Sequence, residues 1–280
     1  MNPYIRLMRI DKPIGIYLLL WPTLWALFLA SDGLPSISLL FIFITGVVLM
    51  RSAGCVINDY ADRDIDRHVE RTKKRPITTG EVSASSALVL FFALIVSAFV
   101  LVVFTNWLTI KLSFIAVAIA TLYPFTKRWT NLPQIVLGVS FAMSVPMAFA
   151  ATNNNIPVSA WWLFTATVVW TVVYDTMYAM ADREEDLNFG VKSTAILFAN
   201  YDRLIIGALQ VVFLLILMKV SEIFNLSNFF DFSLILSAFI MIYHQFLIKT
   251  RKKDSCFKAF LHNHYIGMVI FIGIAVSVAI

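Results

Sequence analysis

The chain has 280 residues, of which 60% are apolar and only 14% are charged, with a mean hydropathy of +0.81. Water-soluble domains usually carry about 45–50% apolar and roughly 25% charged residues, so the composition excludes a soluble globular protein. The apolar residues form long unbroken runs, which excludes a β-barrel with its alternating strands. The net charge of +5 is dispersed over several loops, which argues against a nucleic-acid partner.

Nine apolar segments follow one another along the chain, each close to the roughly 20 residues that a helix needs to cross a bilayer. In chain order they are residues 14–30, 37–57, 85–104, 107–125, 132–150, 159–181, 204–220, 229–248 and 265–280. We therefore predict an all-α polytopic membrane protein, a bundle of nine transmembrane helices that forms one domain over residues 1–280. Cys55 and Cys256 fit neither a disulfide framework nor a zinc site, and we expect both to be buried and free.

The basic residues predict the orientation of the bundle, because Lys and Arg accumulate in cytoplasmic loops. If the N-terminus is cytoplasmic, 19 of the 22 basic residues fall on the cytoplasmic side. The two longest and most charged loops, residues 58–84 and 182–203, are predicted on that side as well. The charge pattern thus predicts a cytoplasmic N-terminus and a function performed at the cytoplasmic face.

Nine of the 17 acidic residues lie in two short stretches at the cytoplasmic ends of predicted spans. The first stretch contains Asp59, Asp62, Asp64 and Asp66. The second contains Asp175, Asp182, Glu184, Glu185 and Asp186. Carboxylates at this depth are unfavourable unless they are paired or bind a metal, so both stretches are candidate functional sites.

Helical spacing sharpens this hypothesis. If the second helix continues past residue 57, one face carries three oxygen ligands within an arc of roughly 80°: Asn58, Asp62 and Asp66. On the second stretch, three further oxygen ligands lie within roughly 40° of one another around the helix axis: Asp175, Asp182 and Asp186. Two facing rows of oxygen ligands predict a Mg²⁺ site, in which water and substrate phosphates complete the coordination of the ion. The alternative is that both stretches are solvated helix ends that form ion pairs with Arg63, Arg67 and Arg183.

The two stretches also resemble known motifs. Asn58-Asp59-x-x-Asp62-x-x-x-Asp66 is similar to the first aspartate-rich motif of the UbiA superfamily of intramembrane prenyltransferases, and residues 175–186 are similar to the second. Further segments resemble the 4-hydroxybenzoate polyprenyltransferases of bacterial ubiquinone synthesis, so that the resemblance covers essentially the whole chain. These segments are residues 11–15, 20–23, 51–55, 123–128, 192–196 and 256–260.

The resemblance implies a set of metal ligands. Four residues would hold Mg²⁺ that bridges a polyprenyl diphosphate: Asn58, Asp62, Asp182 and Asp186. Three others would occupy supporting or water-mediated positions: Asp59, Asp66 and Asp175. Asp62 and Asp182 are therefore expected to be essential for catalysis.

The resemblance also implies substrate contacts. Arg51 would pair with the carboxylate of 4-hydroxybenzoate, for which a guanidinium fork is suited. Tyr123 and Lys127, at i and i+4, would reach the same cavity, with Lys127 at the diphosphate. Further substrate contacts are expected from Arg71, Arg75, Arg128 and Lys192. Alternatively, Arg51 is a snorkelling arginine, and the other basic residues are solvated or follow the positive-inside pattern.

The function implied is Mg²⁺-dependent transfer of a polyprenyl chain to the ring carbon ortho to the hydroxyl of 4-hydroxybenzoate, with release of diphosphate. The bilayer would be the bacterial inner membrane, with the active site facing the cytoplasm. Three alternatives remain open: a related prenyltransferase with a naphthoate or haem acceptor, a divalent-cation transporter, and a purely structural membrane protein. The sequence predicts neither the prenyl chain length nor the oligomeric state.

Overall fold

The computed structural model describes residues 1–67 and 72–279, and within this part of the chain it contains helices and turns but no β-strand. The α-helices in chain order are α1 (Pro3–Leu7), α2 (Ile14–Ser31), α3 (Ile37–Asp66), α4 (Ala84–Val103), α5 (Trp107–Thr126), α6 (Pro133–Ala142), α7 (Ser144–Asn153), α8 (Val158–Asn188), α9 (Thr194–Phe198), α10 (Asp202–Phe224), α11 (Asn228–Leu247) and α12 (Lys253–Ala279). The predicted all-α class is confirmed.

Polar side chains in the short connections fix where several helices begin and end. Ser83 and Asn106 each accept a hydrogen bond from the backbone N–H three residues later, at the starts of α4 and α5. Such caps satisfy N–H groups that the first helical turn leaves unpaired. Asp32, Asn154 and Asn225 adopt left-handed conformations directly after α2, α7 and α10, which is a common way for a helix to end.

Eight helical segments in the described part of the chain are long and apolar enough to cross a bilayer, so the chain is a multi-pass membrane protein. Helix α8, which contains the predicted sixth span, is not among the eight although it has 31 residues. Its tryptophans, its threonines and Asp175 lower the hydropathy of this segment. The count of nine spans and the cytoplasmic N-terminus therefore stay predictions.

The predicted loop bounds were wrong. The loops predicted at 58–84 and 182–203 are partly helical, because α3 continues to Asp66 and α8 continues to Asn188, and the short α9 follows. The predicted span over residues 132–150 is confirmed as a candidate span, Pro133–Asn153, although its helix is interrupted at Met143 and so consists of α6 and α7. Pro146 has no N–H to donate to the carbonyl of Ala142, four residues earlier, and this accounts for the break at the end of α6.

The main hydrophobic core lies between α2, α8, α10 and α12. Trp25 and Trp170 are fully buried there, with ring centroids 5.2 Å apart, and the indole Nε1 of Trp25 donates to the carbonyl of Gly267 at 3.0 Å. A Cβ at Gly267 would lie 2.7 Å from the ring of Trp170, so this close helix packing requires glycine. Cys55 and Cys256 are buried and free, as predicted.

Candidate functional site

Both acidic stretches lie on regular helix, not on loops. Helix α3 carries the first stretch on its last turns, and α8 carries the second on its own last turns. Helix α3 is continuous from Arg51 to Asp66. This stretch contains no proline and one glycine, Gly54, so its residues keep a regular helical spacing. The side chains of the site are therefore held on rigid elements.

The ends of these helices open into one cavity of about 970 Å³. Eleven of the fourteen predicted site residues line it: Arg51, Asn58, Asp59, Asp62, Asp66, Arg75, Tyr123, Lys127, Asp175, Asp182 and Asp186. These residues come from α3, α5, α8 and the segment that precedes α4. The fold thus brings the two acidic stretches to a shared space with basic and aromatic side chains.

Lys127 lies at the centre of the polar part of this cavity. Its Nζ is 3.0 Å from a carboxylate oxygen of Asp62 and 3.4 Å from the amide oxygen of Asn58. It also lies 5.9 Å from the ring centroid of Tyr123, one turn earlier in the chain. A positive charge therefore already stands among the oxygen atoms of the first acidic stretch.

A second group of ion pairs involves Asp59, whose side chain is only 2% exposed. Arg9, which follows α1, donates to Asp59 at 2.7 Å, and Arg75 lies 3.1 Å from Asp59 and 2.6 Å from Asp66. Burial opposes the charge on Arg9, yet the neighbouring carboxylate of Asp59 raises the pKa of this guanidinium. Burial raises the pKa of Asp66, although Arg75 acts in the opposite direction.

Arg51 stands apart from these ion pairs, two helical turns before Asn58 on α3. Its guanidinium lies 5.9 Å from the ring centroid of Phe141 and packs against Gly15 on α2. Its Nε is buried and has no hydrogen-bond partner within residues 1–67 and 72–279. An arginine in this environment suits an anionic ligand that enters the cavity.

The remaining three predicted residues are Arg128, Lys192 and Arg71. Arg128 does not line the cavity, and its Nη2 donates to the carbonyl of Ala61 at 2.9 Å. Lys192 donates to the carbonyl of Trp129 at 3.4 Å and does not line the cavity. Arg71 lies outside the described residues.

Sequence reasoning missed two residues of the site. Arg9 counted only as one of several basic residues near the N-terminus, and its distance of 50 positions from Asp59 gave no sign of contact. Gly15 is the last residue of the family-like segment 11–15. A glycine in the first turn of an apolar helix is a weak signal, because glycine is unfavourable in helices and needs a structural reason there.

The donor set of the polar region consists of oxygen atoms, which are the ligands that Mg²⁺ prefers. Among the described residues, no three His, Cys, Asp or Glu side chains converge closely enough to hold a metal ion by themselves. Carboxylates from α3 and α8 nevertheless face the same space. Oxygen atoms of a bound ligand would therefore have to complete the coordination of a divalent ion.

The other end of the cavity is apolar and reaches the outer surface of the bundle. Its walls include Val96 and Phe99 of α4 and Phe114 and Val117 of α5. Val96 is 60% exposed and Phe114 is 62% exposed, although both line the cavity. The space between α4 and α5 therefore connects the polar site with the surface that faces lipid.

Comparisons with known proteins show which family and which relatives this chain resembles. The model of the UbiA prenyltransferase family matches residues 19–269. A 4-hydroxybenzoate octaprenyltransferase from Vesicomyosocius okutanii subsp. Calyptogena okutanii (strain HA) is 67% identical over 273 residues, which cover 98% of this chain and 100% of the relative.

Solved structures show the same fold. The apo structure of a UbiA homologue from Aeropyrum pernix K1 matches with a TM-score of 0.82 at 26% identity, over 94% of this chain and 97% of that chain. A UbiA homologue from Archaeoglobus fulgidus, solved bound to GPP and Mg²⁺, matches with a TM-score of 0.77 at 17% identity, over 99% of both chains.

Proposed function

Because the chain belongs to the UbiA prenyltransferase family, we propose that it transfers a polyprenyl chain from polyprenyl diphosphate to 4-hydroxybenzoate. The new bond forms at the ring carbon ortho to the hydroxyl, and diphosphate is released. The reaction belongs to ubiquinone biosynthesis. The relative from Vesicomyosocius okutanii carries the name of this activity and is similar over its full length.

One observation carries the proposal: a single cavity combines the chemistry that both substrates need. Its lining includes Asp62 and Lys127, the guanidinium of Arg51, and apolar side chains of α4 and α5. The diphosphate fits the polar end, the carboxylate of the acid fits Arg51, and the polyprenyl tail fits the apolar end. A site for only one of these groups would not require all three regions.

We propose that the chain uses a divalent metal and that this metal is Mg²⁺. The residues that would hold it are Asn58, Asp62, Asp182 and Asp186, with Asp59, Asp66 and Asp175 in supporting positions. The donor set fits, because these residues offer only oxygen atoms and because the ammonium group of Lys127 already stands beside two of them. When bound, the metal neutralises the charge of the departing diphosphate.

The residues of the chain then orient both substrates. Lys127 and Arg75 contact the diphosphate, while Tyr123 lines the cavity beside Lys127. The fork of Arg51 holds the carboxylate of the acid with two parallel hydrogen bonds. Arg71, Arg128 and Lys192 are proposed as further substrate contacts, although Arg128 and Lys192 do not line the cavity.

In the proposed reaction, the ring of the acid replaces the diphosphate at C1 of the prenyl chain. The C1–O bond of the prenyl diphosphate breaks, and its electron pair leaves with the diphosphate. The ring carbon of the acid forms a bond to C1, and the ring proton passes to a carboxylate or to the departing diphosphate. Phe99, Phe114 and the other apolar walls exclude water, which would otherwise react with the allylic cation.

We further propose that residues 1–280 form one domain in the bacterial inner membrane, with the cavity open to the cytoplasm. The excess of basic residues on the side that carries the ends of α3 and α8 supports this orientation. The donor then stays in the bilayer with its diphosphate at the inner face. The aromatic acid enters from the cytoplasm.

The experiment uses membranes that contain the protein, 4-hydroxybenzoate, a polyprenyl diphosphate and Mg²⁺, with a parallel reaction in EDTA. Mass spectrometry of the lipid extract then measures the prenylated acid. We expect product that disappears with EDTA and returns when excess Mg²⁺ is added. Turnover of a naphthoate or haem acceptor without turnover of 4-hydroxybenzoate would overturn the proposed acceptor.

A further inference from the structure

Gly15, in the first turn of α2, is buried against the guanidinium of Arg51. A Cβ at this position would lie 2.6 Å from Nη2 and 2.8 Å from Cζ of Arg51, and closer still to Nε. Real Cβ atoms essentially never approach another heavy atom within 3.0 Å. No other amino acid is therefore compatible with the present position of the Arg51 guanidinium.

Packing contributes to where the guanidinium lies, because within the described residues no hydrogen bond holds the group through its Nε. Its buried Nε has no hydrogen-bond partner in the described part of the chain, and its aromatic neighbour, Phe141, is 5.9 Å away. The next glycine along α3, Gly54, leaves ordinary contact space, since a Cβ there would lie 3.9 Å from Nη1. Gly15 thus provides the tightest glycine contact around this group.

We propose that Gly15 is a positioning residue for the aromatic acid, because its missing side chain lets the Arg51 fork lie where it meets the carboxylate. This inference rests on the proposed function, in which Arg51 binds the acid. Gly15 itself does not contact the substrate. It acts by setting the distance between the guanidinium and the rest of the cavity.

The substitution Gly15→Ala tests the inference with little risk to folding. The atoms that a Cβ would meet belong to the far end of a flexible side chain, so Arg51 can move while the backbone stays in place. A displacement of about 1 Å is enough to misalign a binding fork and reduce its effect by roughly 10-fold to 100-fold. We expect the KM for 4-hydroxybenzoate to rise by this factor, and the KM for polyprenyl diphosphate to change less than about twofold.

Gly46 provides the matched control. It lies on α3, lines the same cavity, and a Cβ there would meet nothing within 4 Å. We expect Gly46→Ala to leave both KM values within about twofold of the wild type. If alanine had only a general effect on the helix or on the volume of the cavity, the KM values of both variants would change by a similar factor.

Binding distinguishes a moved fork from a narrowed cavity. Isothermal titration calorimetry on purified protein in nanodiscs measures the affinity for 4-hydroxybenzoate and for its neutral amide. We expect Gly15→Ala to weaken binding of the acid more than binding of the amide, because only the acid gains from an aligned guanidinium. Equal weakening of both ligands would overturn the inference.

A double variant tests whether Gly15 acts through Arg51. Arg51→Lys removes the planar group that an alanine at position 15 would displace. Adding Gly15→Ala to Arg51→Lys should therefore have less than about a twofold further effect, which is the non-additivity expected of two residues in contact. Independent, multiplicative effects would contradict the inference. If the wild type neither binds nor prenylates the acid, the proposed function fails; if it does both and Gly15→Ala behaves like Gly46→Ala, only this inference fails.

Discussion

The Nζ of Lys127 lies 3.0 Å from the carboxylate of Asp62, although 65 positions separate the two residues in the sequence. The contact joins the end of α5 to the last turns of α3. It places a cation of the protein itself where the proposed metal and diphosphate have to fit. In the proposed reaction, Lys127 leaves Asp62 and turns to the diphosphate when the donor binds.

Replacement of this lysine should affect the two substrates differently. We expect Lys127→Ala to raise the KM for polyprenyl diphosphate by roughly 10-fold or more, since a charge-assisted hydrogen bond contributes roughly 1.5–3 kcal/mol. The KM for 4-hydroxybenzoate should change little, because Arg51 is intact. Steady-state kinetics with each substrate varied in turn measures this difference, and an equal rise in both values would contradict the role.

Alanine at Asp62 or Asp182 should abolish Mg²⁺-dependent transfer while the protein stays folded. These carboxylates line the cavity from α3 and α8, and each is a proposed ligand of the metal. Asp64→Ala is the control, because Asp64 lies on the same turns of α3 with a side chain that is 74% exposed. Turnover and thermal melting are measured together, and retained turnover in Asp62→Ala would refute the metal site.

Arg9→Ala should destabilise the protein. Within residues 1–67 and 72–279, two cations pair with the buried Asp59, and this variant removes Arg9 and leaves Arg75. The loss is expected to be about 1–3 kcal/mol, the usual range for a buried charged group that loses a hydrogen bond. Thermal melting measures the effect, and Arg9→Lys should restore part of it. Arg6→Ala removes the more exposed pair with Glu81 and should change the melting temperature much less.

The carboxylate of Asp202 is fully buried and joins three elements on one side of the bundle. It pairs with Arg183 of α8 and, at 2.8 Å, with Arg251 ahead of α12. Removing one partner of a buried pair usually costs about 3–5 kcal/mol, so Asp202→Asn should lower the melting temperature by roughly 5–10 °C. Glu222→Gln, in the exposed pair with Lys219, should shift it by less than about 2 °C.

The class of fold and the helix faces that carry the acidic residues could be predicted from the sequence. Apolar runs of nearly constant length predict transmembrane helices, and α3 does continue to Asp66 with the register that the aspartate spacing requires. These are local properties of one helix, which depend only on the spacing of residues along the chain. The grouping of the two stretches in one cavity agrees with what the spacing and the family resemblance implied.

Contacts between distant segments could not be read in the same way. The pairing of Arg9 with Asp59 depends on how the N-terminal segment crosses α3, and the approach of Gly15 to Arg51 depends on how α2 packs against α3. Neither leaves a periodic pattern in the sequence. The helix break within the fifth predicted span, by contrast, could have been predicted from the sequence. Pro146 lacks the N–H that the helix would need at this position, so a break in the preceding turn follows from its chemistry.

The opening beside Val96 and Phe114 also bears on the direction of the proposed reaction. The prenylated acid partitions into the hydrocarbon layer, whereas diphosphate, which carries several negative charges, dissolves only in water. The two products therefore leave through different exits into immiscible phases and do not meet again at the site. We expect this partitioning to suppress the reverse reaction, so that the bilayer itself helps to make the transfer unidirectional.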